Sequence, residues 1–423
     1  MQFSRLLELR KSPVVRNALL LYGVQISSFL LPLITLPYLA RVLSPAHLGL
    51  ITFSQAFIWY FQTLTEYGFN LTATRRIAIA RDQPEEVASI FRSTFGAKLL
   101  LTIAGFIILV LCVFLTPRLR PNWPLFFISF LGVVANLLFP VWLYQGLEKL
   151  QYVAYRDLTA KLVSLGALFI LVRDDSDYLL AAAVPNAGLL AAGFIGLIQV
   201  PAFVRQPFRI PAWSAVAEAL KSSWSVFVSM AAMSLTSSTN MFLMGLTSAA
   251  EEVAFFGGAQ RIIVALRMLV TPMTNVIYPH ISHKASISRV AAVEFLNRYA
   301  LLLSVPFLLM SLVVLGTAPY LVELVLGPQY PATTPLLRIM AFSPFLLSLS
   351  HSYATYYMLA FGYEKQWSRI ILVSSISNFV ILIPLLVWMR PSVAVAITWI
   401  ALDVLTTALF LGFSRRSMRR ERG

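Results

Sequence analysis

The sequence predicts an all-α, polytopic membrane protein, and three observations lead there. About twelve apolar segments of roughly twenty residues recur along the chain. That is the length a helix rising 1.5 Å per residue needs to cross a hydrocarbon core of about 30 Å. The chain is 58% hydrophobic and only 12% charged, well below the charge content of about 25% usual for soluble domains. Its connectors are short, and basic residues gather on alternate ones, as the positive-inside rule requires.

The first segment, 17–41, follows Arg5, Arg10, Lys11 and Arg16. It is too long for a cleavable signal and lacks a small-residue cleavage pattern, so it reads as a retained span with its basic end in the cytoplasm. Eleven further spans are expected at 48–70, 97–116, 123–146, 152–172, 178–204, 223–247, 253–281, 296–318, 334–361, 367–389 and 393–413. An even number of spans puts both termini in the cytoplasm. Inner segments then hold Arg75, Arg76, Arg81, Arg92, Lys98, Lys149 and Arg156 in the first half, and Arg205, Arg209 and Lys221 around the midpoint. They hold Lys284, Arg289, Arg298, Lys365, Arg369 and the Arg415–Arg422 cluster in the second. Outer segments hold only Arg41, Arg118, Arg120, Arg173, Arg338 and Arg390. The net charge of +15 is thereby an orienting, lipid-facing charge, and nucleic acid is not an expected partner.

Two inner connectors have amphipathic patterns. Pro84-Glu85-Glu86 opens a helix, with proline suited to its first turn and the acids to the positive end of its dipole. Val87, Ile90, Phe91 and Phe95 fall on one face. Trp213, Val216 and Leu220 form a second stripe opposite Glu218 and Lys221. Both stripes are expected to lie in the inner membrane interface. The second sits at the midpoint and divides the chain into lobes 1–210 and 211–423, six spans each. A weak internal match supports this, Leu48–Gln55 against Val253–Gln260, as expected of parallel repeats about an axis along the membrane normal.

Several function classes drop out. No segment is long enough for a fused soluble domain, and no Gly-rich phosphate loop ending in Gly-Lys-Ser/Thr is present. Cys112 is the only cysteine, so no internal disulfide can form. Four scattered histidines make no metal site, no cofactor is expected, and no nucleophile triad or acid–base pair stands out. The outer connectors are too short for an extracytoplasmic catalytic loop, so an enzyme is not expected.

What remains is inside the membrane. Pro32, Pro37, Pro140, Pro185, Pro272, Pro306, Pro344 and Pro384 interrupt spans, and each removes a helical hydrogen bond. Pro32, Pro37 and Pro272 are candidate bending points. Arg261 and Arg267 lie six residues apart in the eighth span, about 9 Å along its axis. A charge at mid-bilayer costs at least about 2.5 kcal/mol. Both arginines therefore face either a hydrated cavity or an interhelical ion pair. In a cavity they suit an anionic ligand, because a guanidinium fork matches phosphate oxygens. Lys161 has Asp157 one turn away as an ion-pair partner. Asp403 and Glu66 are candidates for binding a coupling cation, or partners for an arginine. His351 reads as a hydrogen-bonded packing histidine. Gln25, Asn136, Asn186, Asn240, Gln260 and Asn275 line a cavity or join helices.

The stretch Leu21-Tyr22-x-x-Gln25, followed by Pro32-Leu33-x-Thr35-x-Pro37-Tyr38-Leu39-x-Arg41-Val42-Leu43-Ser44-Pro45, resembles the Wzx-type oligosaccharide flippases. These belong to the polysaccharide transporter branch of the multidrug/oligosaccharidyl-lipid/polysaccharide exporter superfamily. Glu66-Tyr67-Gly68-Phe69-Asn70-Leu71, Gly258-Ala259-Gln260-Arg261-Ile262, Tyr278-Pro279 and Gly362-Tyr363-Glu364-Lys365 extend the likeness. The resemblance implies a V-shaped, MATE-like pair of six-helix lobes in the bacterial inner membrane. The implied activity is translocation of an undecaprenyl-pyrophosphate-linked oligosaccharide, as in O-antigen assembly, by alternating access coupled to H⁺ or Na⁺. A polysaccharide polymerase complex is the implied neighbour. The implied substrate-binding set is Arg261, Arg267, Gln25, Asn240 and Arg41, with Asp403 and Glu66 for coupling. Relatives often carry an acid where this chain has Gln260, which leaves the proton role to those two. The alternative is a cation-coupled multidrug or small-molecule antiporter of the same superfamily. Paired arginines favour an anionic substrate over an organic cation.

Overall fold

Proline and glycine mark several of the helix boundaries of this protein, among them Gly68, Pro84 and Pro140. The computed structural model describes residues 31–204 and 209–422, without side-chain detail at 233, 235–237, 275, 276, 297 and 419–422. Gln25 lies outside the described residues. Among the described residues every regular element is helical. The helices are α1 (Leu31–Val42), α2 (Pro45–Glu66), α3 (Phe69–Ile79), α4 (Pro84–Leu115), α5 (Trp123–Leu138), α6 (Val141–Gly146), α7 (Leu150–Leu171) and α8 (Tyr178–Val204). They continue as α9 (Trp213–Thr247), α10 (Ala250–Met268), α11 (Val270–Ile287), α12 (Arg289–Leu326), α13 (Thr333–Met340), α14 (Ser343–Tyr353), α15 (Glu364–Trp388) and α16 (Pro391–Arg422). A π-helical turn, Ala354–Leu359, follows α14. Seven stretches of the described residues are long and apolar enough to cross a membrane, and shorter apolar helices accompany them.

The chain divides into two units. One comprises residues up to Leu43 together with Ile51–Phe242, the other Ser44–Leu50 together with Leu243 onward.

In the first unit, the expected span 48–70 is cut at Tyr67-Gly68, where both residues take left-handed backbone (φ 46° and 78°). The Gly68 Cα faces Val226, whose Cγ1 would lie 2.6 Å from an added Cβ. Pro84 starts α4 as expected, but α4 then runs unbroken for 32 residues. Val87, Ile90 and Phe91, expected in the membrane interface, are buried among Phe69, Ile77, Trp142 and Leu143. Val216 joins the same cluster and Leu220 packs against it, while Trp213 stays exposed. The first stripe and the Val216–Leu220 part of the second therefore face protein rather than lipid. Their apolar width suited either partner, and the helices α3 and α6 supply the competing surface. Beyond that cluster, the large exposed side chains of α4 are apolar from Leu99 to Leu115.

Packing of α2 on α9 mixes aromatic and polar contacts. Phe53 and Phe57 stack on Phe242 at 6.0 and 5.3 Å between ring centroids. Tyr60 pairs with Thr239 at 2.9 Å and Thr63 with Ser234 at 2.9 Å. One helix further on, Thr72 of α3 meets Ser223 of α9 at 2.6 Å. Hydroxyl pairs of this kind join helices where lipid offers no hydrogen-bonding alternative.

In the second unit, the expected span 253–281 is two helices, α10 and α11, separated at Leu269. Pro272 lacks the N–H that would bond to the carbonyl of residue 268, so the interruption falls just upstream of it. The start of α2 passes the start of α10 so closely that a Cβ on Gly49 would sit 1.7 Å from the Ala250 carbonyl oxygen. Glycine is required there by space alone. Among neighbouring helices, α14 packs on α12 and α16, and α16 on α15.

Candidate functional site

Arg267 ends α10 one residue before its last position, at the break that precedes Pro272. That break turns its side chain to α14 and α16. Its NH1 donates to Asp403 Oδ2 at 3.0 Å and to the Ser343 hydroxyl at 2.8 Å. Ser343 in turn donates to Asp403, and Trp399 Nε1 donates to Ser343 Oγ at 3.1 Å. The guanidinium lies 5.4 Å from the centroid of the Trp399 ring. Trp399 and Asp403 are four residues apart on α16, hence on one face of the helix. The result is a neutral couple inside the second unit, hydrogen-bonded on both sides, and its two charged side chains keep 21% and 17% of their surface accessible. The ion pair that the sequence weighed against an open cavity is the arrangement Arg267 adopts.

One helix layer away, Thr274 Oγ1 lies 3.0 Å from His351 Nδ1 and 3.2 Å from the Tyr356 hydroxyl. His351 is a hydrogen-bonded packing residue, as its sequence context suggested, and it sits within electrostatic reach of Arg267. Arg261, further up α10, is half-buried beside the Tyr330 phenol. Tyr330 is fully buried in the segment that joins α12 to α13.

The other candidates belong to the first unit. Arg41, at the exposed end of α1, donates to the Pro37 carbonyl at 3.0 Å. Asn240 is buried on α9. Glu66 is the last residue of α2 and interacts through space with Lys98. Sequence reasoning had counted Lys98 among the cytoplasmic charges. It is instead 3% exposed, and its ammonium donates to the Asn136 carbonyl at 3.1 Å. Asn136 is four residues before Pro140, so its carbonyl has no helical N–H to accept from. The lysine supplies the missing donor. Asp157 forms its ion pair with Arg156 at 3.5 Å. Among the described residues no cluster of three or more metal-ligating side chains occurs.

The structure thus joins Arg267 and Asp403, each of which the sequence left open as half of an ion pair without naming its partner, and adds Ser343, Trp399 and Lys98 as contacts the sequence did not single out. The spacing of Trp399 and Asp403 was a readable signal for one of them. Nothing local marked Ser343.

The sequence profile described as "Polysaccharide biosynthesis protein" matches residues 14–285. A protein of Escherichia coli K12 named "Putative O-antigen transporter" is 33% identical over 402 residues, 95% of this chain and 97% of that one. The chain belongs to the polysaccharide biosynthesis protein family. A second relative with the same name, from Shigella dysenteriae, is 28% identical over 88% of this chain and 92% of its own. Among solved structures, a multidrug resistance MATE family transporter of the MOP superfamily in its inward-facing conformation superposes with a TM-score of 0.68. It shares 13% identity and covers 93% of this chain and 95% of that one. The lipid II flippase MurJ, inward closed, gives 0.64 at 12% identity over 94% and 87%. At these identities the two structures establish the fold. This member of the polysaccharide biosynthesis family is a transporter-fold, multi-pass protein of the inner membrane, and not an enzyme.

Proposed function

We propose that the protein flips a lipid-linked oligosaccharide across the inner membrane, and that the lipid is an undecaprenyl pyrophosphate. The reading rests on family membership, and the Arg267–Asp403 couple is the observation that gives it a mechanism. Sugars and phosphates cannot cross hydrocarbon unaided because their polar groups would go unsatisfied. A guanidinium at membrane depth provides a place for a diphosphate to stop. While Asp403 is ionised it holds Arg267. When a proton or another cation neutralises the carboxylate, the guanidinium is released toward the substrate. Arg261, about 9 Å along the same helix, offers a second anchor. Gln25, Asn240 and Arg41 would bind sugar or phosphate oxygens, and Glu66 serves with Asp403 in coupling. Rocking of the lobes 1–210 and 211–423 would alternate access, and a polysaccharide polymerase complex would receive the product.

The test is a strain lacking the gene, complemented with each variant, in which surface glycan and lipid-linked repeat units on the inner leaflet are both measured. Arg267→Ala with Arg261→Ala is expected to abolish surface glycan and cause repeat units to accumulate while the protein remains in the membrane. Unchanged export at normal protein level would overturn the role of both arginines.

A further inference from the structure

A crevice of about 420 Å³ runs between α7 and α8, wholly within the first unit. Its walls are largely apolar, and where Ala160, Ala192 and Gly196 line them a chain-like ligand can lie close to the backbone of either helix. Tyr155 and Ile195 on its rim are 57% and 59% exposed, which opens the crevice sideways to the bilayer. In the half of the crevice nearer Leu150, one turn in from Tyr152, lies Arg156. The guanidinium packs 4.5 Å from the centroid of Phe139, and NH1 reaches Asp157 only at 3.5 Å. The side chain is 8% exposed, and its buried Nε has no hydrogen-bond partner. A buried charged donor left without an acceptor is costly to the fold, and here it stands beside a crevice that can admit one.

Dimensions choose the occupant. From Tyr152 to Val163, both lining residues, the crevice spans about 16 Å along α7. One leaflet of the hydrocarbon core is about 15 Å thick. The cationic end is the one next to the Lys149 turn, on the side where the sequence places headgroups of the inner leaflet. We infer that the α7–α8 crevice binds an anionic glycerophospholipid of the surrounding bilayer, with its phosphate on Arg156 and one acyl chain in the groove. A much longer polyprenyl chain would overrun a groove of one-leaflet depth. The site is independent of the transport cycle proposed above. It uses none of the same residues.

Native mass spectrometry of the full-length protein, released from detergent after titration with phosphatidylglycerol, tests this. Expected is retention of one phosphatidylglycerol at least tenfold tighter than diacylglycerol, which has the same chains without phosphate. Arg156→Gln should weaken retention of phosphatidylglycerol at least tenfold. Ala192→Phe, which fills the groove from a half-buried position away from the ion pair, should do the same with an unchanged melting temperature. It decides the matter if Arg156→Gln fails to fold. Equal retention of the two lipids, or of phosphatidylglycerol by the Ala192→Phe protein, would overturn the assignment. So would preferential retention of undecaprenyl monophosphate, or of a second copy of the chain that Ala192→Phe disrupts.

Discussion

Arg267 and Asp403 are 136 residues apart in the chain and 3.0 Å apart in space. Each neutralises the other, and Ser343 touches both. A pair of this kind is not a large source of net stability, because desolvation offsets most of the Coulombic gain. What it does impose is a penalty on losing one partner alone.

A double-mutant cycle exposes that asymmetry. Asp403→Asn and Arg267→Met should each lower stability by about 3 kcal/mol, the cost of stranding a buried charge, discounted for the remaining exposure. The combined variant should be more stable than either single one. Thermal unfolding in one detergent measures all four proteins. Additive losses would show that the two side chains are not energetically coupled.

Lys98 should behave as a structural residue. Removing its ammonium leaves the Asn136 carbonyl without a donor, so Lys98→Met is expected to destabilise the protein by about 1–3 kcal/mol. Pairing it with Pro140→Ala, which gives residue 140 an N–H that can reach that carbonyl once Phe139 turns helical, should recover part of the loss. Melting temperatures of the single and paired variants report the difference.

Gly49 permits no side chain. Gly49→Val would drive a Cβ into the Ala250 carbonyl, and sharply reduced yield of membrane-inserted, monodisperse protein is expected. Gly166, exposed on α7 with nothing near its Cα, is the control. Gly166→Ala should be neutral or stabilising by about 0.5–1 kcal/mol. Size-exclusion profiles of the two variants distinguish them.

Hydroxyl pairs between α2 or α3 and α9 should each matter little. Thr63→Val and Thr72→Val are expected to cost about 0.6 kcal/mol apiece, the usual size of an interhelical hydrogen bond in a membrane protein. A loss above about 2 kcal/mol in thermal unfolding would mean that one of them does more than join helices.

Composition and segment length were enough to read the helical membrane class, because lipid leaves only helices or closed barrels as choices. The start of α4 and both ends of α8 were legible: Pro84 opens the first, and the expected span 178–204 is the second, preceded by a turn that Asp174 caps. The Asp174 carboxylate there is held below its usual range by hydrogen bonds from Ser176. The 97–116 run did not reveal that α4 is continuous with the connector before it, since an apolar stripe does not say whether protein or lipid will cover it. The Arg267–Asp403 pairing was hidden for a related reason. Each residue was conspicuous alone, but a partner so distant in the chain leaves no local trace. Lys98 looked like an orienting charge because it stands at the very start of the 97–116 run, and its real partner is the Asn136 carbonyl, four residues before Pro140.

The apolar exterior of α4 from Leu99 to Leu115 covers about 24 Å of helix length. That belt is shorter than an average bilayer is thick, and the part of α4 below it is already wrapped in protein. A membrane of long, saturated tails would therefore have to thin around this helix, at a fraction of a kcal/mol for every ångström of discrepancy. Short-tailed lipids would relieve that stress, so reconstituted preparations should hold together best where the tails are short.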